Sequence, residues 1–487
     1  MITVTEGPAM SRRPNVILIN CDDLGYGDLS CYGSTQHETP VLDCMASEGA
    51  RLTDFYMASP VCSPSRAAML TGSYPLRVGF GGRSIDNAPV LFPGQAQGLH
   101  PDEITIARLL SDAGYATRLV GKWHCGDQPE FLPTRHGFDG WFGLPYSNDM
   151  GRQALPPEGQ SYRDIMEQLG TPVPNDAPML ADRPPLPLMR DNEVVAEQPD
   201  QAALTEAYVA DAVEFLRANQ DRPFFLYLAH LYVHLPIYVQ DRFVRQSTNG
   251  RYGAAVQCID WSTGALLAEI RALGLDEDTV VVFTSDNGAL IRDDGGSNGA
   301  LRAAKGTTWE GGQRVPCIVR WPGRVPAGQT VPEVVNAMDL YPTIARWCGV
   351  DVPGDRTLDG RDISTLLEGG DAPPEAPFFY ILGGNVEAVR KGRWKLHVRK
   401  WNVERVRLYD LEADIGERND VVKENPAVVA ELLALVEAAR DELGDDASDT
   451  LGSDVRPVGQ VTDPVTLTSY DPDTPYFMAE YDLTERG

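Results

Sequence analysis

Residues 15–23 read Asn-Val-Ile-Leu-Ile-Asn-Cys-Asp-Asp, an apolar run that ends in two adjacent carboxylates. The run predicts a buried strand, and open α/β sheets place their ligands at the carboxyl ends of such strands. A lone Asp-Asp pair is more simply a solvated turn, but residues 279–288, Thr-Val-Val-Val-Phe-Thr-Ser-Asp-Asn-Gly, repeat the pattern. Three carboxylates and an amide oxygen without a paired His/Cys set suit a hard cation, Ca²⁺ or Mg²⁺, rather than zinc. The candidate ligands are Asp22, Asp23, Asp286 and Asn287.

Apolar runs alternate with amphipathic segments through the first three quarters of the chain, which predicts an α/β sheet covered by helices. The predicted strands span residues 15–20, 116–121, 224–229, 279–284 and 315–321. The predicted helices span residues 104–113, 203–219 and 254–273. Between residues 151 and 200 the pattern stops, and nine prolines in these fifty residues predict a long ordered loop or insertion.

The character of the chain changes after about residue 375. The alternating run Arg-Trp-Lys-Leu-His-Val at residues 393–398 predicts a strand of a second, smaller sheet, and a helix is predicted over residues 426–443. The last 47 residues hold twelve acids and two arginines, which is typical of a solvated wrapping segment. The predicted organisation is a catalytic domain over residues 1–375, a C-terminal subdomain with a small antiparallel sheet and a helix over 376–445, and an acidic tail over 446–487.

Composition excludes several classes of function. The 487 residues carry 42 Lys+Arg against 70 Asp+Glu, which gives a net charge of −28. The negative electrostatic field around the protein therefore repels nucleic acid and anionic membranes. The eight cysteines contain no C-x-x-C pair, which argues against a disulfide scaffold or structural zinc. We see no signal-peptide core in the first twenty residues, and residues 224–239 are too short to span a bilayer. These features predict a soluble protein, cytoplasmic as written, or periplasmic or secreted if a signal was removed.

A third stretch that carries reactive side chains is Val-Cys-Ser-Pro-Ser-Arg-Ala-Ala-Met-Leu-Thr-Gly at residues 61–72. Pro64 is typical of a first helical turn, and Ser63 is the predicted N-cap. Cys62 is then expected at a helix N-terminus, where free amides and the helix dipole stabilise an anion. From position alone an ordinary buried cysteine is the simpler interpretation.

Cys62-Ser-Pro-Ser-Arg66 with Leu70-Thr-Gly72 resembles the C-x-P-x-R signature of type I sulfatases, of the alkaline phosphatase superfamily. In that family the cysteine is oxidised after synthesis to Cα-formylglycine. Further blocks resemble the remaining sulfatase motifs in the family's order, at residues 14–28, 121–124, 234–236, 285–288 and 305–312, with a terminal strand-turn at 408–414. The resemblance covers most of residues 14–415 and implies an α/β fold: a large mixed sheet sandwiched by helices, with a smaller C-terminal α+β subdomain.

The resemblance implies a sulfuric ester hydrolase of arylsulfatase type, in which a formylglycine hydrate at residue 62 attacks sulfur and then eliminates sulfate. It implies that Lys122 and Lys305 bind sulfate oxygens, that His234 protonates the leaving oxygen, and that His124 takes a proton from the second hydrate hydroxyl. The implied catalytic residues are Cys62, Arg66, Lys122, His124, His234 and Lys305. The implied ligands of Ca²⁺, or of Mg²⁺, are Asp22, Asp23, Cys62, Asp286 and Asn287. A formylglycine-generating enzyme is the implied partner in maturation.

Two other functions fit parts of the pattern. A phosphonate or phosphate ester hydrolase of the same superfamily can carry the same modification, but residues 121–124 together with Lys305 resemble the sulfatase pattern. A non-catalytic sulfate-binding relic is disfavoured because every expected polar position is filled. His230 fits either a core or a site-supporting position. Residues 295–299 match G-x-S-x-G, yet they follow a polar loop instead of a strand, so we reject a hydrolase elbow.

The substrate is expected to be a small or short-chain sulfate ester. The negative electrostatic field around the protein repels long sulfated polymers, whereas three local cations and a divalent ion would make the pocket itself positive. Discrimination is expected in the loops over residues 75–98 and 151–200 and near the basic strand at 390–400. The residues hypothesised to line the mouth are Arg83, His100, Arg152 and Arg302.

Overall fold

The computed structural model describes residues 13–152, 183–291, 295–400 and 403–476. Much of the predicted proline-rich insertion, residues 153–182, lies outside these ranges, and so does the end of the predicted tail, residues 477–487. In the described part of the chain, no helix is long and apolar enough to cross a membrane. None of the eight cysteines, all of which lie in the described residues, forms a disulfide.

A ten-stranded mixed sheet forms the centre of the fold, and three smaller sheets accompany it. The strands in chain order are β1 (Asn15–Cys21), β2 (Ala50–Leu52), β3 (Phe55–Tyr56), β4 (Gln97–Gly98), β5 (Ala116–Gly121), β6 (Gly140–Gly143), β7 (Pro187–Arg190), β8 (Glu193–Glu197), β9 (Phe224–Ala229), β10 (Thr279–Ser285), β11 (Cys317–Arg320), β12 (Gln329–Val331), β13 (Val335–Asn336), β14 (Phe378–Leu382), β15 (Asn385–Lys391), β16 (Trp394–Lys400), β17 (Val403–Asp410) and β18 (Gly459–Gln460). The order across the large sheet is β12-β2-β11-β10-β1-β9-β5-β6-β7-β8. Its middle strands, β10, β1, β9, β5 and β6, run parallel, so their carboxyl ends share one edge.

Helices cover both faces of this sheet. The helices of the described residues are α1 (Pro40–Ser47), α2 (Cys62–Thr71), α3 (Ile106–Asp112), α4 (Leu204–Ala218), α5 (Asp241–Val244), α6 (Gly250–Ala272), α7 (Glu310–Gln313), α8 (Leu340–Trp347), α9 (Ser364–Leu367) and α10 (Pro426–Leu443). Val16 and Leu18 of β1 pack in one apolar core with α2, α3 and α8, whereas Ile17 and Ile19 pack in the other with α1, α4 and α6. Because both faces are covered, β1 is apolar through its centre and lacks period-two alternation. The predicted fold class is thereby confirmed.

The smaller C-terminal part contains the antiparallel sheet β14-β15-β16-β17, and α10 packs against it through Leu432 and Val436. A buried ionic cluster joins this sheet to the large domain. Glu310 at the start of α7 accepts hydrogen bonds from Lys395 Nζ at 2.8 Å and from the Tyr380 hydroxyl at 2.7 Å. The segment that leads from Lys305 to α7 is therefore held by the C-terminal sheet.

The acidic tail lies along the large domain in its described part. β18 pairs with β4, and Arg77 donates to Asp454 at 2.7 Å, while Arg456 donates to Glu103 at 2.6 Å. These contacts tie the tail to the chain next to the Cys62 helix.

Part of the predicted loop is regular structure. β7 and β8 form a hairpin that extends the central sheet beyond β6, so the prediction of a loop is wrong for residues 187–197. The apolar signal is weak here because β8 is an edge strand with alternating exposed positions. Pro187 begins β7, a position where a missing N–H group is tolerated.

Candidate active site

The two clusters of oxygen ligands lie side by side at the carboxyl edge of the sheet. β1 and β10 are parallel neighbours with Cys21 opposite Ser285, and the Asp286 amide donates to the Cys21 carbonyl at 3.0 Å. Asp22 and Asp23 therefore emerge beside Asp286 and the asparagine that follows it. Asp23 adopts φ 63°, a left-handed conformation that is uncommon for an aspartate and typical of functional turns.

The neighbouring strands deliver the cationic and imidazole groups to the same edge. Lys122 follows β5, and His234 lies in the segment after β9. Gly121 ends β5 with φ 108°, and a Cβ atom there would overlap the Ala229 carbonyl oxygen, so this turn requires glycine. The Lys122 amide donates to that same carbonyl at 2.7 Å, which fixes where its side chain begins.

Helix α2 places Cys62 and Arg66 one turn apart. Cys62 is the first helical residue, and Val61 is the N-cap without a side-chain hydrogen bond. The prediction of Ser63 as N-cap is therefore wrong, because its hydroxyl lies inside the first turn and accepts a hydrogen bond from the Leu91 amide at 3.1 Å. Cys62 is buried, with 2% of its surface exposed.

Each of the three carboxylates is paired with one cation. Lys122 Nζ lies 2.6 Å from Asp22 Oδ2, Lys305 Nζ lies 2.9 Å from Asp23 Oδ2, and the Arg66 guanidinium lies 2.7 Å from Asp286 Oδ2. All six side chains are buried or nearly so, with Lys305 the most exposed at 11%. With all three carboxylates ionised and no metal bound, the six formal charges sum to zero.

The donor set fits a hard divalent cation. Ligand atoms of Asp22, Cys62 and Asp286 all lie within 4.8 Å of one another, and so do those of Asp22, Asp23 and His234. Within the described residues, Asp22 Oδ1 and Asn287 Oδ1 are buried without a hydrogen-bond partner. Buried oxygens without a partner are costly unless a cation or water satisfies them.

The carboxylates also perturb one another. Burial, followed by the negative charge of Asp22, raises the pKa of Asp286 to about 7. Burial acts in the same sense on Asp22, but the charges of Lys122 and Arg66 lower the pKa of Asp22 below its ordinary value. A bound divalent cation would relieve the repulsion between the two carboxylates.

The two histidines meet the site through different nitrogens. His124 Nε2 lies 2.9 Å from the Leu91 carbonyl oxygen, and His124 Nδ1 is buried without a hydrogen-bond partner among the described residues. His234 Nδ1 lies 2.5 Å from the Leu235 carbonyl oxygen, which leaves its Nε2 toward Asp23 at 3.9 Å. A carbonyl oxygen only accepts, so the neutral rings carry their protons on His124 Nε2 and His234 Nδ1.

Burial lowers the pKa of both imidazoles. Lys122 adds to the effect on the pKa of His124, which lies well below its ordinary value. Lys305 adds to the effect on the pKa of His234, whereas Asp23 opposes it. Both rings are therefore neutral at pH 7 in the absence of substrate.

Other positions singled out from the sequence lie in different surroundings. His230 Nε2 lies 3.2 Å from the Ser262 hydroxyl of α6, and burial lowers its pKa to about 3, so His230 supports the core. Among the four hypothesised mouth residues, Arg83 pairs with Asp449 at 2.6 Å, and Arg302 stacks 3.6 Å from the Trp309 ring. The remaining two make contacts elsewhere: His100 with Asp102 and Arg152 with the ring of Tyr470.

Two groups of the site escaped the sequence analysis. The Ser147 hydroxyl accepts a hydrogen bond from Lys122 Nζ at 2.7 Å, and the Leu91 backbone holds both Ser63 and His124. Ser147 follows β6, whose carboxyl end shares the edge of the site, so the strand-end rule could have found it. A backbone carbonyl leaves no signal in the sequence.

The large mixed sheet, with a carboxylate site at its carboxyl edge beside the helix that begins at Cys62, has the alkaline phosphatase-like fold of its solved structural neighbours, which are hydrolases. The chain belongs to the sulfatase family: the Sulfatase family model matches residues 14–350. A second model, N-sulphoglucosamine sulphohydrolase, C-terminal, matches residues 304–442. The protein is therefore an enzyme that hydrolyses sulfate esters, as the motifs predict.

Individual relatives agree with this assignment. Human (Homo sapiens) arylsulfatase A is 40% identical over 82% of this chain and 77% of its own length. Mouse (Mus musculus) steryl-sulfatase is 39% identical over 79% of this chain and 70% of its own length. The crystal structure of Ps i-CgsB in complex with k-i-k-neocarrahexaose has a TM-score of 0.75 and 30% identity, covering 92% of this chain and 95% of that chain.

The predicted alternative, a phosphonate hydrolase, has a more distant counterpart. The phosphonate monoester hydrolase of Agrobacterium radiobacter has a TM-score of 0.58 and 21% identity over 88% of this chain and 96% of that chain. At that identity the similarity extends to the fold alone.

Proposed function

We propose that the enzyme hydrolyses a small or short-chain sulfate monoester by a formylglycine-dependent mechanism centred on residue 62. The observation that carries the proposal is the position of Cys62, buried at the start of α2 with its sulfur within 4.8 Å of oxygens of Asp22 and Asp286. Burial raises the pKa of the Cys62 thiol, so an unmodified thiol would remain neutral and weakly nucleophilic. Oxidation to Cα-formylglycine supplies an aldehyde hydrate, which has one hydroxyl for attack on sulfur and another for eliminating sulfate.

The cation we propose is Ca²⁺, with Mg²⁺ as the alternative. The residues that would hold it are Asp22, Asp23, Asp286, Asn287 and the modified residue 62. Bound there, a divalent cation supplies Lewis-acid stabilisation of negative charge at the nucleophile and at sulfate. Its charge would turn a site of zero net charge into one with a charge of +2, which favours a sulfate anion.

Three cations of the chain would bind and orient the substrate. Lys122 and Lys305 are flexible point charges suited to the oxygens of a tetrahedral anion, and both are already fixed by carboxylates. Ser147 holds the Lys122 ammonium from the other side at 2.7 Å. Arg66 donates from Nε to Asp286 at 2.8 Å and from Nη1 to the Lys122 carbonyl oxygen at 3.0 Å. Arg66 therefore orients both Asp286, a proposed metal ligand, and Lys122.

The histidines would move the protons. His124 is a neutral base with its lone pair on Nδ1, because the Leu91 carbonyl fixes the proton on Nε2. That nitrogen would accept the proton whose removal accompanies elimination of sulfate. His234 Nε2 carries no proton in the free enzyme, but the negative charge of a bound sulfate, added to that of Asp23, would favour the imidazolium form. The Nε2 proton of that imidazolium would pass to the leaving oxygen as negative charge develops there.

Expression with a formylglycine-generating enzyme, the proposed maturation partner, tests this function. Mass spectrometry of the peptide that spans residue 62 should show the aldehyde or its hydrate, and p-nitrophenyl sulfate should be hydrolysed. The variant Cys62→Ala should keep the fold, because the change removes only the sulfur, but it should lose activity. A Cys62→Ala enzyme with wild-type kcat, or a higher kcat/KM for a matched aryl phosphonate than for the aryl sulfate, would refute the proposal.

A further inference from the structure

Part of the C-terminal tail, residues 459–465, lies against two segments of the large domain that meet at the proposed base His124. We call this part the tail segment. Its strand β18 pairs with β4, where Gly459 lies opposite Gly98. The second family model ends at residue 442, so membership of the family does not by itself account for the tail segment.

The two segments that the tail segment contacts determine the orientation of the His124 ring. The first, residues 91–99, contains Leu91, whose carbonyl oxygen lies 2.9 Å from His124 Nε2. His124 Nδ1 has no hydrogen-bond partner among the described residues, so the Leu91 carbonyl sets the direction of the lone pair on Nδ1. The second segment, residues 124–131, carries His124 itself. A displacement of one segment relative to the other would therefore turn the ring.

Two adjacent side chains of the second segment, Asp127 and Gln128, join it to the first segment and to the tail segment. The Gly94 amide donates to Asp127 Oδ2 at 2.6 Å, and Gln128 Nε2 donates to Asp127 Oδ1 at 3.1 Å. Gln128 also exchanges two hydrogen bonds with the backbone of Val465, each at 2.9 Å. Asp127 and Gln128 are both buried, so the loss of one partner leaves a polar group of the other without a hydrogen bond.

The Phe131 ring forms a second junction among the same three parts of the chain. The ring is buried and lies against one glycine from each part: Gly98 of the first segment, Gly126 of the second and Gly459 of the tail segment. A Cβ atom on Gly459 would lie 2.5 Å from Phe131 Cε1, so β18 can approach the ring only because it has no side chain there. The Phe131 carbonyl accepts a hydrogen bond from Trp123 Nε1 at 2.8 Å, which fixes the residue before the proposed base.

We propose that the tail segment, through Gln128 and Phe131, positions His124 for the elimination of sulfate. This inference rests on the proposed function, because it concerns the base of the second step. In that step His124 Nδ1 would accept the proton of the remaining hydroxyl of residue 62, the C=O bond of the aldehyde would form, and the C–O bond to sulfate would break. Gln128 is a positioning residue, since it acts through the segments that hold the ring.

The attack on sulfur should depend much less on the tail segment. All ten residues of helix α2 are buried, and the Ser65 hydroxyl of this helix donates to the Asp286 carbonyl at 2.5 Å. Residue 62 is thus held by contacts that do not involve the tail segment. Loosening the tail segment should slow elimination selectively.

Single-turnover reactions with enzyme in excess over p-nitrophenyl sulfate test this inference, on the full chain with verified formylglycine and bound Ca²⁺. Release of p-nitrophenol reports the attack on sulfur, and release of free sulfate reports elimination. In Gln128→Leu and in Gly459→Val, the rate constant for sulfate release should fall about ten- to 100-fold, as expected for a misplaced general base, and that for p-nitrophenol release should stay within about threefold. Mass spectrometry should show sulfate retained on residue 62 between the two events.

Gln460→Ala is the matched control, because Gln460 is the neighbour of Gly459 in β18 and is exposed. This variant should keep both rate constants. A loss of folded enzyme would leave the two signals synchronous, so it cannot imitate the expected lag of sulfate. Equal falls in both rate constants, or parental sulfate release in both Gln128→Leu and Gly459→Val, overturn the inference while the sulfatase function stands. A parent enzyme with verified formylglycine that releases no p-nitrophenol overturns the proposed function and this inference with it.

Discussion

Lys122 is a sharp test of the site because it performs two tasks from one position. Its ammonium group is 0% exposed, lies 2.6 Å from Asp22 Oδ2 and donates to Ser147 at 2.7 Å. Lys122→Met keeps most of the apolar stem and removes the charge. The variant therefore loses a proposed sulfate contact and also leaves Asp22 without its nearest cation.

The two losses have different magnitudes and different remedies. Removing a pre-organised donor from a water-excluded site costs about 3–4 kcal/mol in the transition state, so kcat should fall about 100- to 1000-fold. Leaving a buried carboxylate without its partner costs about 3–5 kcal/mol of folding free energy. We expect about 3 kcal/mol for the metal-free variant, because Arg66 Nη2 remains 3.9 Å from Asp22. Bound Ca²⁺ should recover much of this stability, since it supplies the missing positive charge, but it should not recover kcat.

The measurements are single-turnover rates with p-nitrophenyl sulfate and denaturant unfolding with and without Ca²⁺, on protein with verified formylglycine. Lys391→Met is the control, because Lys391 is 38% exposed and its ion pair with Glu431 lies at the surface, where solvent screens it, so its loss should change stability little. If Lys122→Met retains kcat within tenfold of the parent, Lys122 does not stabilise the transition state and the reasoning fails.

Three further perturbations follow from the same contacts. Chelation with EDTA should abolish activity and lower the free energy of unfolding by about 2.7 kcal/mol relative to protein in Ca²⁺ at 100 times its Kd; equal melting curves with and without the metal would contradict the site. His230→Gln should keep kcat/KM within about threefold because its ring contacts Ser262, whereas His234→Gln should lose about 100-fold or more, and similar losses in both would be contrary to the assignment. Glu310→Gln should lower the free energy of unfolding in urea by about 3 kcal/mol, because it leaves Lys395 without one of its buried partners; a change below 1 kcal/mol would show that the cluster contributes little.

The ligand-bearing turns could be located from the sequence because they are local features. The strands that carry Asp22 and Asp286 are fully buried, so each appears as an uninterrupted apolar run that ends in oxygen ligands. Two errors arose where local signals were weak or ambiguous. The edge strand β8 resembles a loop because solvent covers one side, and Ser63 resembles an N-cap although its hydroxyl serves Leu91.

The fold class, the sulfatase family and the residue types at the carboxyl edge can be inferred from the sequence, since apolar runs and motif spacing are properties of short segments. The folded chain is needed to show which cation faces which carboxylate, that Leu91 and Ser147 complete the site, and that His230 belongs to the core. The folded chain also shows that Arg83 and Glu387 line one cavity, although they lie about 300 residues apart in sequence. Such pairings depend on how distant segments pack, and no local pattern encodes the distance between two atoms that are 100 or more residues apart in sequence, as Lys122 and Asp22 are.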